Sequence, residues 1–162
     1  EELAANPCLA CTIAQGCCAE MQGLLVTESE FQRVFARHHN ALEITQTGRL
    51  KRLTSKAGPC PNWQGACTVY EDRPMECRLF PFTVSLVAAT SQTIHITAHD
   101  RVDCPQKEAL RPREAAAIDL IKAFARDAYG PGHTVHISFE RGVGKIKALL
   151  LKLALRLRLF RV

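Results

Sequence analysis

"AGPCPNWQGACTVYEDRPMECRLFPF", residues 57–82, is rich in glycine and proline and carries three cysteines. No helical or strand period runs through it, so an apolar face cannot be what orders it. "CLACTIAQGCC", residues 8–18, adds four more thiols, and Cys104 completes the set. The chain has eight cysteines: Cys8, Cys11, Cys17, Cys18, Cys60, Cys67, Cys77 and Cys104. Seven of them sit in two stretches, 1–24 and 57–82, that show little apolar periodicity.

An even cysteine count suggests disulfides in a secreted chain. Three observations oppose that reading. At 162 residues the chain can bury a core without staples. Its cysteine content lies below that of disulfide scaffolds. Cys17 and Cys18 are adjacent, and bridging both needs two well-placed partners. Clustered cysteines in a reducing compartment point to metal, so the expected location is cytoplasmic.

Cys8 and Cys11 form a C-x-x-C pair, a spacing that lets two thiolates reach one ion from a tight turn. Cys17 and Cys18 point different ways in an extended or turning backbone. They sit more easily on two metals, or on two corners of one polynuclear centre. Eight thiolates satisfy two closed Cys₄ zinc sites, one iron–sulfur cluster with spares, or two clusters. The adjacent pair and the all-sulfur donor set lean towards iron–sulfur, with zinc as the alternative. Arg73 and Arg78 flank Cys77, and Arg101 lies near Cys104, where cations offset thiolate charge or simply meet solvent. Pro7, Pro59, Pro61 and Pro105 beside the cysteines reduce the entropy lost in ordering a site.

Other chemistries find little support. Gly142-Val143-Gly144 starts like a dinucleotide loop, but Lys147 stands at the third glycine position. There is no P-loop, no G-x-S-x-G and no C-x₃-C-x₂-C. The C-x-x-C lies outside any βαβ context, which weakens a dithiol redox reading. No catalytic residue is identifiable.

Outside the cysteine blocks the elements are more regular. Thr27 and Glu30 form a capping box that opens a helix over 28–39, with Phe31, Val34 and Phe35 on one face. His38 and His39 in its last turn suit the helix dipole. Residues 41–56 suggest a strand and a turn around Gly48. Strands are expected over 83–89 and 93–99, with Thr90-Ser91-Gln92 as the turn. His95 and His99 share a strand face but stand ~13 Å apart, too far for one ion. "RPREAAAIDLIKAFARDAYG", residues 111–130, is the clearest helix, with Pro112 in its first turn and Gly130 at its end. Its apolar stripe is Ala117, Leu120, Ile121, Phe124 and Ala128. "HTVHISF", 133–139, reads as a last strand. The class expected is α+β: one small domain with irregular cysteine-rich loops organised around a metal centre, a short antiparallel hairpin and two or three helices.

In the tail 145–162, Leu151, Leu153, Leu155, Leu157 and Leu159 alternate as in a strand, but its leucine, lysine, alanine and arginine are strong helix formers and weak strand formers, which favours a helix. As a helix it shows two apolar faces separated by basic stripes. Two faces fit packing between the body and a partner better than lying on a membrane surface, which needs one. The net charge of +5 is mild and aromatic content is only 6%, without the interleaving that stacks bases. Nucleic acid is therefore not the expected partner. No uncharged run reaches the ~18 residues of a membrane helix. The sequence begins Glu1-Glu2 without methionine, which is compatible with a trimmed start.

The blocks "CLACTIAQGCC", "CPNWQGACTVYEDRPMECRLFPF" and Cys104-Pro105 together resemble the YkgJ-type cysteine-cluster family, the CxxCxxCC zinc- or iron-chelating domain. The string Cys-x₆-Cys-x-x-Tyr-Glu-x-Arg-Pro-x-x-Cys-Arg-x-Phe-Pro is the most specific part. The resemblance covers roughly residues 6–106. It implies that Cys60, Cys67 and Cys77 join the four N-terminal cysteines, with Cys104 as the last member. One departure stands out: residues 12–16 separate Cys11 from Cys17 where the family has two residues, which puts the corner held by Cys17 and Cys18 in question. A related cluster occurs in proteins resembling flagellin lysine N-methylases, but no S-adenosylmethionine site is evident here. The expectation is one domain, 1–162, with a metal-binding region at 6–106 and a helical, basic region at 107–162. Its partner would be a redox protein or another protein.

Overall fold

The computed structural model describes residues 20–80, 82–100, 108 and 114–141. Among the described residues are two three-stranded sheets and three α-helices, the mixed α+β architecture expected from the sequence. In chain order these are β1 (Leu24–Val26), α1 (Glu28–Glu30), β2 (Leu42–Thr47), β3 (Leu50–Ser55), α2 (Met75–Leu79), β4 (Phe82–Ala89), β5 (Thr93–Asp100), α3 (Glu114–Tyr129) and β6 (Thr134–Arg141).

The first sheet has the order β1-β3-β2 and is antiparallel throughout. The ambiguous stretch 41–56 resolves into the β2–β3 hairpin. Thr47 pairs with Leu50, leaving Gly48 and Arg49 as a two-residue turn. Gly48 has φ +59, which hairpin turns require at their first central residue and only glycine adopts freely.

The capping box forms as the sequence predicts. Thr27 Oγ1 accepts from the Glu30 N–H, and Glu30 Oε2 accepts from the Thr27 N–H, both at 3.1 Å. The helix is less uniform than expected. After Glu30 the chain widens into a π-helical turn, Phe31–Phe35, then tightens to a 3₁₀ segment, Ala36–Ala41. Phe31, Val34 and Phe35 are still delivered to one buried face.

Strand alternation divides the first sheet between two cores. Val26, Leu42 and Leu53 pack with Met21 and the three residues of the helical segment. Leu25 and Leu50, on the opposite face, join a larger core with α2, α3 and the second sheet. Burying each such leucine contributes roughly 1.5–3 kcal/mol.

The second sheet has the order β4-β5-β6. The β4–β5 hairpin is antiparallel, and its turn is closed by the Thr90 N–H on Thr93 O at 2.8 Å. β6 runs parallel to β5, so the chain must cross over, and α3 provides the covering layer. Ala117, Ile121, Phe124, Ala125 and Tyr129 are its buried residues, with Leu120 and Ala128 half-buried beside them. Gly130, at φ +91, ends α3 by returning its N–H to Arg126 O at 2.8 Å. Pro112 and the predicted tail helix at 145–162 lie outside the described residues.

Candidate metal centre

The loop between β3 and α2 carries Cys60, Cys67 and Cys77, and local hydrogen bonds shape it. Cys60-Pro61-Asn62-Trp63 is a tight turn, closed by the Trp63 N–H on Cys60 O at 2.9 Å, with proline where a turn favours it. Trp63 and Cys67 form an antiparallel bridge, and the Gln64 N–H reaches Ala66 O at 3.0 Å. The Thr68 N–H and hydroxyl both donate to Asn62 O at 3.0 Å. The six residues between Cys60 and Cys67 thus fold into a small hairpin that returns the second thiol towards the first.

A second reversal follows. The Asp72 N–H donates to Val69 O at 3.0 Å. The Arg73 guanidinium lies 3.5 Å from the Tyr70 ring centroid and donates through Nε to Tyr70 O at 2.7 Å. That clamp explains the tyrosine and arginine of the specific string: they turn the chain so that Pro74 opens α2, which carries Cys77.

Three polar side chains fix these loops to the body. Asn62, 1% exposed, donates through Nδ2 to Val34 O at 3.3 Å and accepts from Arg37 Nη2 at 3.1 Å. His38 Nε2 lies 3.1 Å from the same Asn62 oxygen, and His38 and His39 stand in the last turn of the helical segment, where the sequence places them. Glu30 Oε1 accepts from the Met75 N–H at 2.6 Å and so caps α2 from 45 residues away. Glu76 accepts from the Leu25 N–H at 2.6 Å and the Val84 N–H at 3.0 Å, joining β1 of one sheet to β4 of the other. Sequence reading missed the long-range roles of Glu30, Asn62 and Glu76. Only Glu30 carried a signal, and that signal concerned its local cap.

Cys60, Cys67 and Cys77 are free thiols, each half-buried. Although part of Cys77 reaches solvent, its thiol is crowded by protein and pushed well above the usual thiol range. Burial is the main cause, followed by Glu76, Cys60 and Cys67, with Arg73 opposing. Burial likewise raises Cys60; the Asn62 N–H opposes this and Cys67 adds to it. The three sulfurs are therefore close enough to interact electrostatically. Among the described residues no three Cys, His, Asp or Glu groups close on a single ligating point. Cys8, Cys11, Cys17, Cys18 and Cys104, along with Arg101, lie outside the described residues.

The donors present fit a thiophilic metal. The gathered groups are sulfurs, and both oxygens of the nearest buried carboxylate, Glu76, are engaged by backbone N–H groups. Of the aromatic residues near Cys77, Phe82 belongs to the core and packs edge-on to Phe139 at 5.8 Å, while Tyr70 holds the turn. His99 lies 3.2 Å from Ser85 Oγ and 3.1 Å from Glu140 Oε2 and is half-buried, and His95 is exposed on the same sheet face, the solvated or half-buried setting expected for both.

The fold and these thiols define a small α+β protein with a cysteine-bearing loop between β3 and α2. The family described as "Putative zinc- or iron-chelating domain", CxxCxxCC, matches residues 7–108, and the chain belongs to that family. No curated protein and no solved structure matches the chain. Among the described residues no helix is long and apolar enough to cross a membrane.

Proposed function

We propose that the eight cysteines hold one polynuclear thiolate centre of the iron–sulfur type, and that the protein serves electron transfer or redox-linked modification of a partner protein. The observation that carries this reading is that two successive chain reversals bring Cys60, Cys67 and Cys77 near enough to perturb one another's ionisation. Three thiols in one neighbourhood leave a tetrahedral ion short of its closed sulfur set. Cys8, Cys11, Cys17, Cys18 and Cys104 supply the remaining donors, and the adjacent pair Cys17-Cys18 favours two corners of a multi-metal unit over one ion. An iron–sulfur centre supplies one-electron redox chemistry at a potential set by hydrogen bonds, charge and exposure around its sulfurs.

The chain's own contribution is positional. Asn62 holds the first hairpin and donates its backbone N–H towards Cys60, while Arg73 places positive charge near Cys77. Such groups stabilise the more negative, reduced state of a centre. The alternative is a zinc-held interaction module with two Cys₄-type sites and no catalysis.

The test is anaerobic purification followed by an absorption spectrum and quantification of iron, zinc and acid-labile sulfide per chain. Iron with sulfide and a band near ~400 nm supports the proposal. A colourless protein with about two zinc ions per chain, unchanged after reconstitution with iron and sulfide, overturns it in favour of the zinc module.

A further inference from the structure

The second sheet presents a polar face opposite its core. In the parallel β5–β6 pair, His95 stands directly beside His136, Thr97 beside Ser138 and His99 beside Glu140. The two imidazoles of the first pair are exposed and stacked, with ring centroids 4.9 Å apart and planes only 10° from parallel. This separation equals the spacing of neighbouring strands, so both rings stand up from the sheet side by side. We propose that His95 and His136 form a two-histidine site for a borderline divalent transition metal such as Ni²⁺ or Zn²⁺, separate from the thiolate centre.

Four features carry the assignment. First, the register places both side chains on one face with no intervening residue, so the backbone has already aligned the second ligand when the first binds. Second, a metal bonded at ~2.0–2.1 Å to one nitrogen of each ring holds those nitrogens ~3–4 Å apart. In the stacked arrangement the in-plane lone pairs run parallel, so each ring must turn about its side-chain bonds to aim a nitrogen at the shared ion, which exposed side chains do without a backbone change. Third, the surroundings leave room. Ala88 faces His95 across the antiparallel ladder, and the adjacent Thr97 and Ser138 hydroxyls bond each other at 2.9 Å. Fourth, neither imidazole makes a hydrogen bond to another described residue, so no existing bond must break. His99, four strand residues away and held by Ser85 and Glu140, is not a ligand.

Two neutral nitrogen donors select Ni²⁺, Cu²⁺ or Zn²⁺ over Mg²⁺ and Ca²⁺, which prefer oxygen. Water completes the coordination, leaving open positions for an exogenous ligand or for a histidine of a partner.

The experiment is calorimetric titration of Ni²⁺ into the full chain with its thiolate centre already loaded, comparing the parent with His95→Ala, His136→Ala and His99→Ala. The expected result is a single Ni²⁺ equivalent whose affinity falls at least about tenfold in either of the first two variants, reflecting loss of a prepositioned second ligand. His99→Ala should bind like the parent. Circular dichroism checks that the exposed substitutions leave the fold intact. Absence of the Ni²⁺ equivalent in the parent, or equal affinity in all four proteins, overturns the assignment without touching the cysteine centre.

Discussion

The Glu30 carboxylate accepts a hydrogen bond from the Met75 N–H at 2.6 Å, two residues before Cys77, while its other oxygen caps the helix that begins at Glu28. One buried side chain thus fastens the segment after β1 to the start of the cysteine helix. Glu30→Ala leaves two buried N–H groups unsatisfied and should cost about 2–4 kcal/mol. Urea unfolding measures the loss, and metal content per chain should fall with it. A variant with parent stability would refute the tether.

Glu30 also makes stability depend on pH. Burial raises its pKa above the ordinary 4.5, against the opposing N–H bonds of Met75 and Thr27 and the charge of Arg33. The folded value exceeds the unfolded one, so the native state keeps a proton that the unfolded chain has released. This contribution is fully present below 4.5 and is lost as pH rises through the raised folded value. Unfolding measured from roughly pH 4 to 7 should show a steeper decline in the parent than in Glu30→Gln. The comparison cancels the pH dependence of the metal, and parallel curves would contradict the assignment.

Cys67→Ser removes the thiol that the small hairpin returns towards Cys60. Metal content and melting temperature should drop together, because binding free energy in a loop without its own core is folding free energy. Chelation of the parent should reproduce the effect and increase proteolysis within 57–82. Unchanged metal stoichiometry in the variant would remove Cys67 from the ligand set.

Asn62→Ala breaks the hydrogen bond from Nδ2 to Val34 O and strands the Arg37 contact. The expected loss is about 1–3 kcal/mol. Because the loop itself is detached, metal should dissociate faster to a competing chelator, which stopped-flow measurement can follow. Equal release rates would show that the cysteine loop holds its shape without this anchor.

Tyr129 is 8% exposed, and its hydroxyl is buried without a hydrogen-bond partner among the described residues. Tyr129→Phe removes that unsatisfied group while keeping the ring in the core. Stability should rise by up to about 1 kcal/mol, read as an increased urea midpoint with unchanged slope. Gly48→Ala works in the opposite direction, since an added Cβ meets the Tyr129 hydroxyl at 3.0 Å and φ is +59.

The sequence by itself determined the elements whose signals are local. The Thr27–Glu30 cap, the turn at Thr90, the stripe of α3 and its Gly130 terminator depend on residues within one or two turns of chain, and all are present. The cysteine string likewise identified the family, because side-chain type and spacing are the recognisable content of a metal loop. Only the tertiary structure decided how that loop is held. Its anchors, Glu30 to Met75, Asn62 to Val34, and Glu76 to Leu25 and Val84, join backbone and side-chain groups across 45, 28, 51 and 8 residues. A carboxylate or amide carries no mark in its sequence neighbourhood of which distant N–H or carbonyl it will meet. That choice follows from sheet register and from packing the two cores against β1–β3. The pairing of His95 with His136 has the same origin: each strand is legible alone, but parallel alignment across a helical crossover places the two imidazoles 4.9 Å apart.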